Sequence, residues 1–167
     1  MKQLDEKLLL SLGFIKDGSL NLSPDFYLNK NKIYINVNLK ETPDKKCGIE
    51  IIDPKNPDFF IKFRTVTVFN PKILYLEQLN YIVRMIFCTG LPISKEILER
   101  NGYKVVVDGS DMDSKYENKN FKCLTSRNFY VKAYNSSYSI VIKLPQIYCS
   151  HLDLVYKILG EENKRIW

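Results

Sequence analysis

Apolar residues recur along this chain with two different periods, and these periods lay out its elements. Between Lys32 and Lys40, Ile33, Ile35, Val37 and Leu39 fill every second position, with Lys32, Tyr34, Asn36, Asn38 and Lys40 around them. A period of two puts the aliphatic side chains on one face of a β-strand and the polar ones on the other. Ile49-Glu50-Ile51-Ile52, Phe129-Tyr130-Val131-Lys132-Ala133 and Ile140-Val141-Ile142-Lys143 read as further strands. Phe60 to Phe69, rich in β-branched and aromatic residues, predicts a longer one. Helical spacing marks Leu74 to Thr89, where Leu76, Leu79, Val83, Ile86 and Phe87 make one apolar stripe before Gly90 and Pro92. A second helix is predicted over His151 to Leu159, with the Ser150 hydroxyl capping the Asp153 amide and Gly160 ending it.

Two short amphipathic segments carry one further pattern. Leu8-Leu9-Leu10-Ser11-Leu12-Gly13-Phe14 and Ile97-Leu98-Glu99-Arg100-Asn101-Gly102-Tyr103 each run from a helix through glycine to an aromatic residue that starts a strand. Glycine suits that place because the residue just past a helix often takes the left-handed conformation. The order helix, strands, helix thus occurs twice. Ile33 to Val37 matches Phe129 to Ala133, and Ile49 to Ile52 matches Ile140 to Lys143. Phe60 to Phe69 has no such partner, and Asp108 to Asn120 reads as an inserted polar loop. Asp53 to Asp58, with two prolines, reads as a rigid surface turn. The predicted fold is α+β: two related helix–strands–helix units, residues 1–93 and 94–167, with mainly antiparallel sheets. Gly90 to Ser94 is so short a connection that the units are expected to dock as one compact body.

Composition adds that the chain folds. Its 167 residues, 45% hydrophobic and 26% charged, suffice for a sizeable core. The net charge of +6 divides evenly between the halves without a basic arm, which favours solubility over a dedicated phosphate footprint. Asp5 and Glu6 stand where a secretory signal is basic, and no apolar run reaches the ~18 residues of a membrane-spanning helix. The expected location is cytoplasmic, with no membrane contact. Cys47, Cys88, Cys123 and Cys149 lie far apart, unlike the close pairs of zinc and redox sites, and are expected to be reduced thiols.

No catalytic, cofactor or metal signature emerges. His151, the single histidine, is expected to be a solvated residue in the first turn of its helix, too near Cys149 in sequence to form a nucleophilic pair with it. Asp108, Asp111 and Asp113 lack the spacing of a calcium loop, and the glycines are scattered singly rather than gathered around a phosphate. The strand faces are more informative. Lys32, Tyr34, Asn36 and Lys40 in the first half, and Asn128, Tyr130, Lys132 and Tyr134 in the second, put tyrosine beside lysine on a polar face. Such rings bury well against a protein partner. They also stack on bases while lysines neutralise phosphates, although no RNA-recognition consensus is present.

The Leu-Gly-Phe turn at Leu12 to Phe14, the Leu-x-x-Leu-x-x-x-Val helix from Leu76 to Val83 ending near Thr89-Gly90, and the heavy use of Lys, Asn, Ile and Tyr resemble small phage and mobile-element proteins of AT-rich bacteria. The resemblance implies a virion component, a host-factor binder or a defence inhibitor. It carries over no functional residue. The reading is a non-enzymatic interaction protein with a protein partner, no cofactor, and Lys32, Tyr34, Asn36, Lys40, Tyr130, Lys132 and Tyr134 as its binding residues. Single-stranded nucleic-acid binding through the same faces is the alternative. An enzyme centred on Cys149 or His151 comes third.

Overall fold

The computed structural model describes residues 1–17, 23–43, 45–66, 73–107, 115–118, 123–126 and 130–160. The chain opens with a short helix, α1 (Glu6–Ser11), whose start is fixed by the Asp5 carboxylate accepting the Leu8 amide at 2.7 Å. Gly13 turns out of it at φ +87°, and the Phe14 amide returns to the Leu9 carbonyl at 3.0 Å, which drops the Phe14 ring into the core. Five strands follow as an antiparallel meander: β1 (Ile15–Lys16), β2 (Phe26–Lys30), β3 (Ile33–Asn38), β4 (Gly48–Asp53) and β5 (Asn56–Thr65). A helix, α2 (Leu76–Arg84), continues as one tighter turn over Met85–Phe87.

Among the described residues the second half also runs from a helix through five strands to a helix. The Ser94 hydroxyl accepts the Ile97 amide at 3.3 Å to start α3 (Lys95–Arg100). Gly102 leaves at φ +82°, and the Tyr103 amide returns to the Leu98 carbonyl at 3.0 Å. Then come β6 (Lys104–Val107), β7 (Lys115–Asn118), β8 (Cys123–Ser126), β9 (Tyr130–Tyr134), β10 (Tyr138–Lys143) and a helix, α4 (Cys149–Leu159). The two meanders join along β5 and β10, which pair antiparallel from Thr65 opposite Tyr138 to Phe60 opposite Lys143. One ten-stranded sheet results among the described residues, in the order β1-β2-β3-β4-β5-β10-β9-β8-β7-β6.

The helices that follow the meanders also begin alike. The Tyr75 amide donates to Gln78 Oε1 at 2.9 Å, and the Tyr148 amide to His151 Nδ1 at 2.9 Å. The Leu76 amide reaches the Lys2 carbonyl at 2.8 Å, and the Cys149 amide reaches the Leu91 carbonyl at 2.9 Å. Each helix start is thereby tied to the segment just before its own half's leading helix.

The core lies on one side of the sheet. Registers align Phe26, Val37, Ile49, Phe63, Ile140 and Ala133 in one cross-strand row, and Ile35, Ile51, Ile61, Ile142 and Val131 in the next, all buried. Leu9, Leu79, Ile82, Leu98, Leu152 and Val155 from the four helices complete the same cluster. The period-two alternation is the cause, since it gives the sheet a wet and a dry face.

Several expectations need correcting. Asp108 to Asn120 is not simply a loop, because β7 lies within it, carrying buried Tyr116 and Asn118; residues 108–114 and 119–120, with the three aspartates, lie outside the described residues. The long strand starts at Asn56 and ends at Thr65, with Pro54 and Lys55 as its hairpin turn; residues 67–69 of the expected strand lie outside the described residues. Ser150 does not cap α4: that helix starts at Cys149, and the Ser150 hydroxyl donates to the Thr89 carbonyl at 3.2 Å. The α2 stripe is rotated as well, burying Gln78, Leu79, Ile82 and Met85 while Phe87 is 72% exposed.

Candidate functional site

The face of the sheet opposite the helices is the candidate site. Registers place its side chains in rows across the strands. One row runs Tyr34 (β3), Ile52 (β4), Phe60 (β5), Lys143 (β10), Tyr130 (β9). The adjacent row runs Tyr27 (β2), Asn36, Glu50, Lys62, Val141 and Lys132. A third holds Arg64, Ser139 and Tyr134. All these side chains remain half-buried or exposed, in contrast to the sealed rows beneath.

Of the residues expected to bind, Tyr34, Asn36, Tyr130, Lys132 and Tyr134 share this face. Lys32 and Lys40 do not. Lys32 is the second residue of the β2–β3 turn, where Asn31 and Lys32 have φ of 54° and 71°. A two-residue hairpin turn of this type needs left-handed backbone at both central positions, so the turn, not the strand, sets where Lys32 sits. Lys40 lies beyond the end of β3, and its amide donates to Asp25 Oδ2 at 3.2 Å. Asn128 lies outside the described residues. The sequence reading overlooked Phe60, Lys62 and Arg64, although their alternation with Ile61, Phe63 and Thr65 marks a two-faced strand.

Charge on this face is unevenly compensated. Lys62 pairs with Glu50 at 3.0 Å while its ammonium stands 5.1 Å from the Phe60 ring centroid. Lys143 pairs with Asp58 at 2.6 Å. Arg64 and Lys132 are exposed and make no ion pair among the described residues. Burial among its neighbours pushes the Tyr130 phenol above its usual value, so it stays a neutral hydrogen-bonding ring.

Elsewhere the chemistry is structural. His151 is buried, not solvated, which corrects the expectation for it. Its Nδ1 accepts the Tyr148 amide, so Nε2 carries the hydrogen and donates to the Met85 carbonyl at 3.0 Å. Both ring nitrogens are thus committed to holding α4 in place. Burial holds the His151 imidazole below its usual value and pushes the Cys149 thiol above its own. Cys47, fully buried, is pushed up to about 11 by burial. Beside Arg84, Ser150, Asp153 and Lys157 a shallow cleft exposes part of Cys88, whose thiol burial also raises, so it is mostly protonated at neutral pH. Among the described residues no group of three or more His, Cys, Asp or Glu converges as metal ligands do. None of the described helices is long and apolar enough to cross a membrane. No family model, curated protein or solved structure matches this chain.

Proposed function

We propose that this chain is a non-enzymatic interaction protein, of the kind phages and mobile elements encode, that presents the outer face of its sheet to a macromolecular partner in a host cytoplasm or a virion. One observation carries the reading. Tyrosine, phenylalanine, lysine and arginine alternate across a wide face that retains solvent contact, while the opposite face is sealed by four helices. Flat faces rich in Tyr and Arg suit recognition, because a large ring is buried at little conformational cost and the polar tip finds a partner. The uses already found for His151, and the raised Cys149 thiol, weigh against a catalytic pair at that place.

The reading includes an origin by duplication, with residues 1–93 and 94–167 as related units. It is supported by the matched turns at Gly13 and Gly102, the matched amides of Tyr75 and Tyr148, and the equal places of β5 and β10 in the order of elements. The sheet surface would then be one unit's outer face doubled.

The test immobilises the wild-type chain and a Tyr130→Ala/Lys132→Glu double variant in bacterial lysate, with Lys7→Glu on α1 as the control. A partner held by wild type and control but lost by the double variant is the expected result. Retention by all three, or by none, contradicts the proposal.

A further inference from the structure

We propose that the occupant of this face is a single-stranded nucleic acid lying across the strands, an inference that rests on the outer face being the recognition surface. The sequence alone favours a protein partner. The row geometry favours a polyanion with flat bases. Phe60 on β5 and Tyr130 on β9 lie in one row with Lys143 between them, and Tyr34 on β3 continues that row on the other side of Ile52. Aromatic rings therefore recur at every second strand, about 10 Å apart by strand spacing. Two residues along β5 and β9 from the rings stand Lys62 and Lys132, which share the neighbouring row. An aromatic platform and a cation are thus repeated together, which is the combination that holds a strand by stacking and by phosphate neutralisation without reading its sequence.

Charge complementarity decides the class of partner. From β5 to β9 the face carries Lys62, Arg64, Lys132 and Lys143, and the acids beside them are Glu50 and Asp58, each paired with one lysine. Arg64 and Lys132 are left for the ligand. A duplex keeps its base faces stacked inside, so it cannot use the rings. A single strand offers bases and phosphates together.

The experiment titrates the full chain into fluorescently labelled oligothymidylate and oligouridylate, with a duplex of equal length as control, and reads anisotropy at two salt concentrations. Binding to single strands in preference to duplex is expected, weakening by roughly sevenfold between about 50 and 200 mM salt if Arg64 and Lys132 neutralise two phosphates. Tyr130→Ala and Phe60→Ala are each expected to weaken it about fivefold or more by loss of stacking. Lys132→Glu, at an exposed site where folding is not at stake, is expected to weaken it about tenfold and to flatten the salt dependence. No binding at low salt, duplex preference, or binding unchanged in Lys132→Glu and Tyr130→Ala overturns the inference. If the oligonucleotides fail while a captured protein is lost with those same variants, this inference falls and the proposed function stands.

Discussion

His151 Nε2 donates to the Met85 carbonyl at 3.0 Å, joining the first turn of α4 to the tightened end of α2. The same ring accepts the Tyr148 amide, so only the neutral imidazole serves both bonds. Burial depresses its pKa below the ordinary 6.5, so between the folded value and 6.5 the unfolded chain binds more protons. The stability it contributes is full above 6.5 and is lost as pH falls through that window. Because the chain has a single histidine, urea midpoints at pH 7.5 and 5.5 isolate this effect from the carboxylates. The midpoint is expected to drop at pH 5.5. In His151→Gln, with the side chain that Gln78 uses for the same task in α2, most of that drop should vanish, at a cost of about 1 kcal/mol at neutral pH. An equal drop in both proteins would exclude His151 as its source.

Lys32 takes φ of 71° in the β2–β3 turn without the glycine that such a turn prefers. Left-handed backbone costs a Cβ-bearing residue roughly 1 kcal/mol. Lys32→Gly is therefore expected to stabilise the fold by up to about 1 kcal/mol, read as a rise in melting temperature. Because Lys32 stands off the recognition face, partner binding should not change. A loss of stability would show the turn to be strained elsewhere.

Gly48 opens β4 where the chains of β4 and β5 approach closely. A Cβ there would stand 2.2 Å from the Phe63 carbonyl oxygen and 3.1 Å from Arg64 Cα. Backbone atoms cannot step aside as a side-chain tip does, so Gly48→Ala is expected to destabilise by roughly 1–3 kcal/mol or more. Denaturant unfolding measures it, and a neutral result would mean that β4 and β5 can separate there at little cost.

Much of the fold was legible where burial follows alternation. Ile35, Val37, Ile49, Ile51, Ile140 and Ile142 point inward as the period of two requires. β7 was missed because Lys115-Tyr116-Glu117-Asn118 buries an asparagine in place of an aliphatic residue; its Nδ2 donates to the Asn101 carbonyl at 3.0 Å. His151 was misjudged because its partner carbonyl belongs to another helix, which local patterning does not reveal. Within the candidate site, Tyr34 and Tyr130 were assigned to polar faces from their own strands, but their common row depends on the β5–β10 pairing, a contact between halves far apart in sequence. Lys32 was misplaced because an Asn-Lys hairpin turn lacks the glycine that announces one.

The outer face as the place of contact is tested most directly by lysine footprinting. The chain is acetylated briefly in buffer and in the lysate that supplies its partner, and modification is compared site by site. Lys62, Lys132 and Lys143 on the sheet should become protected, while Lys7, Lys95 and Lys157 on the helices react as before. Protection confined to the helical lysines, with the sheet lysines unchanged, would contradict the account.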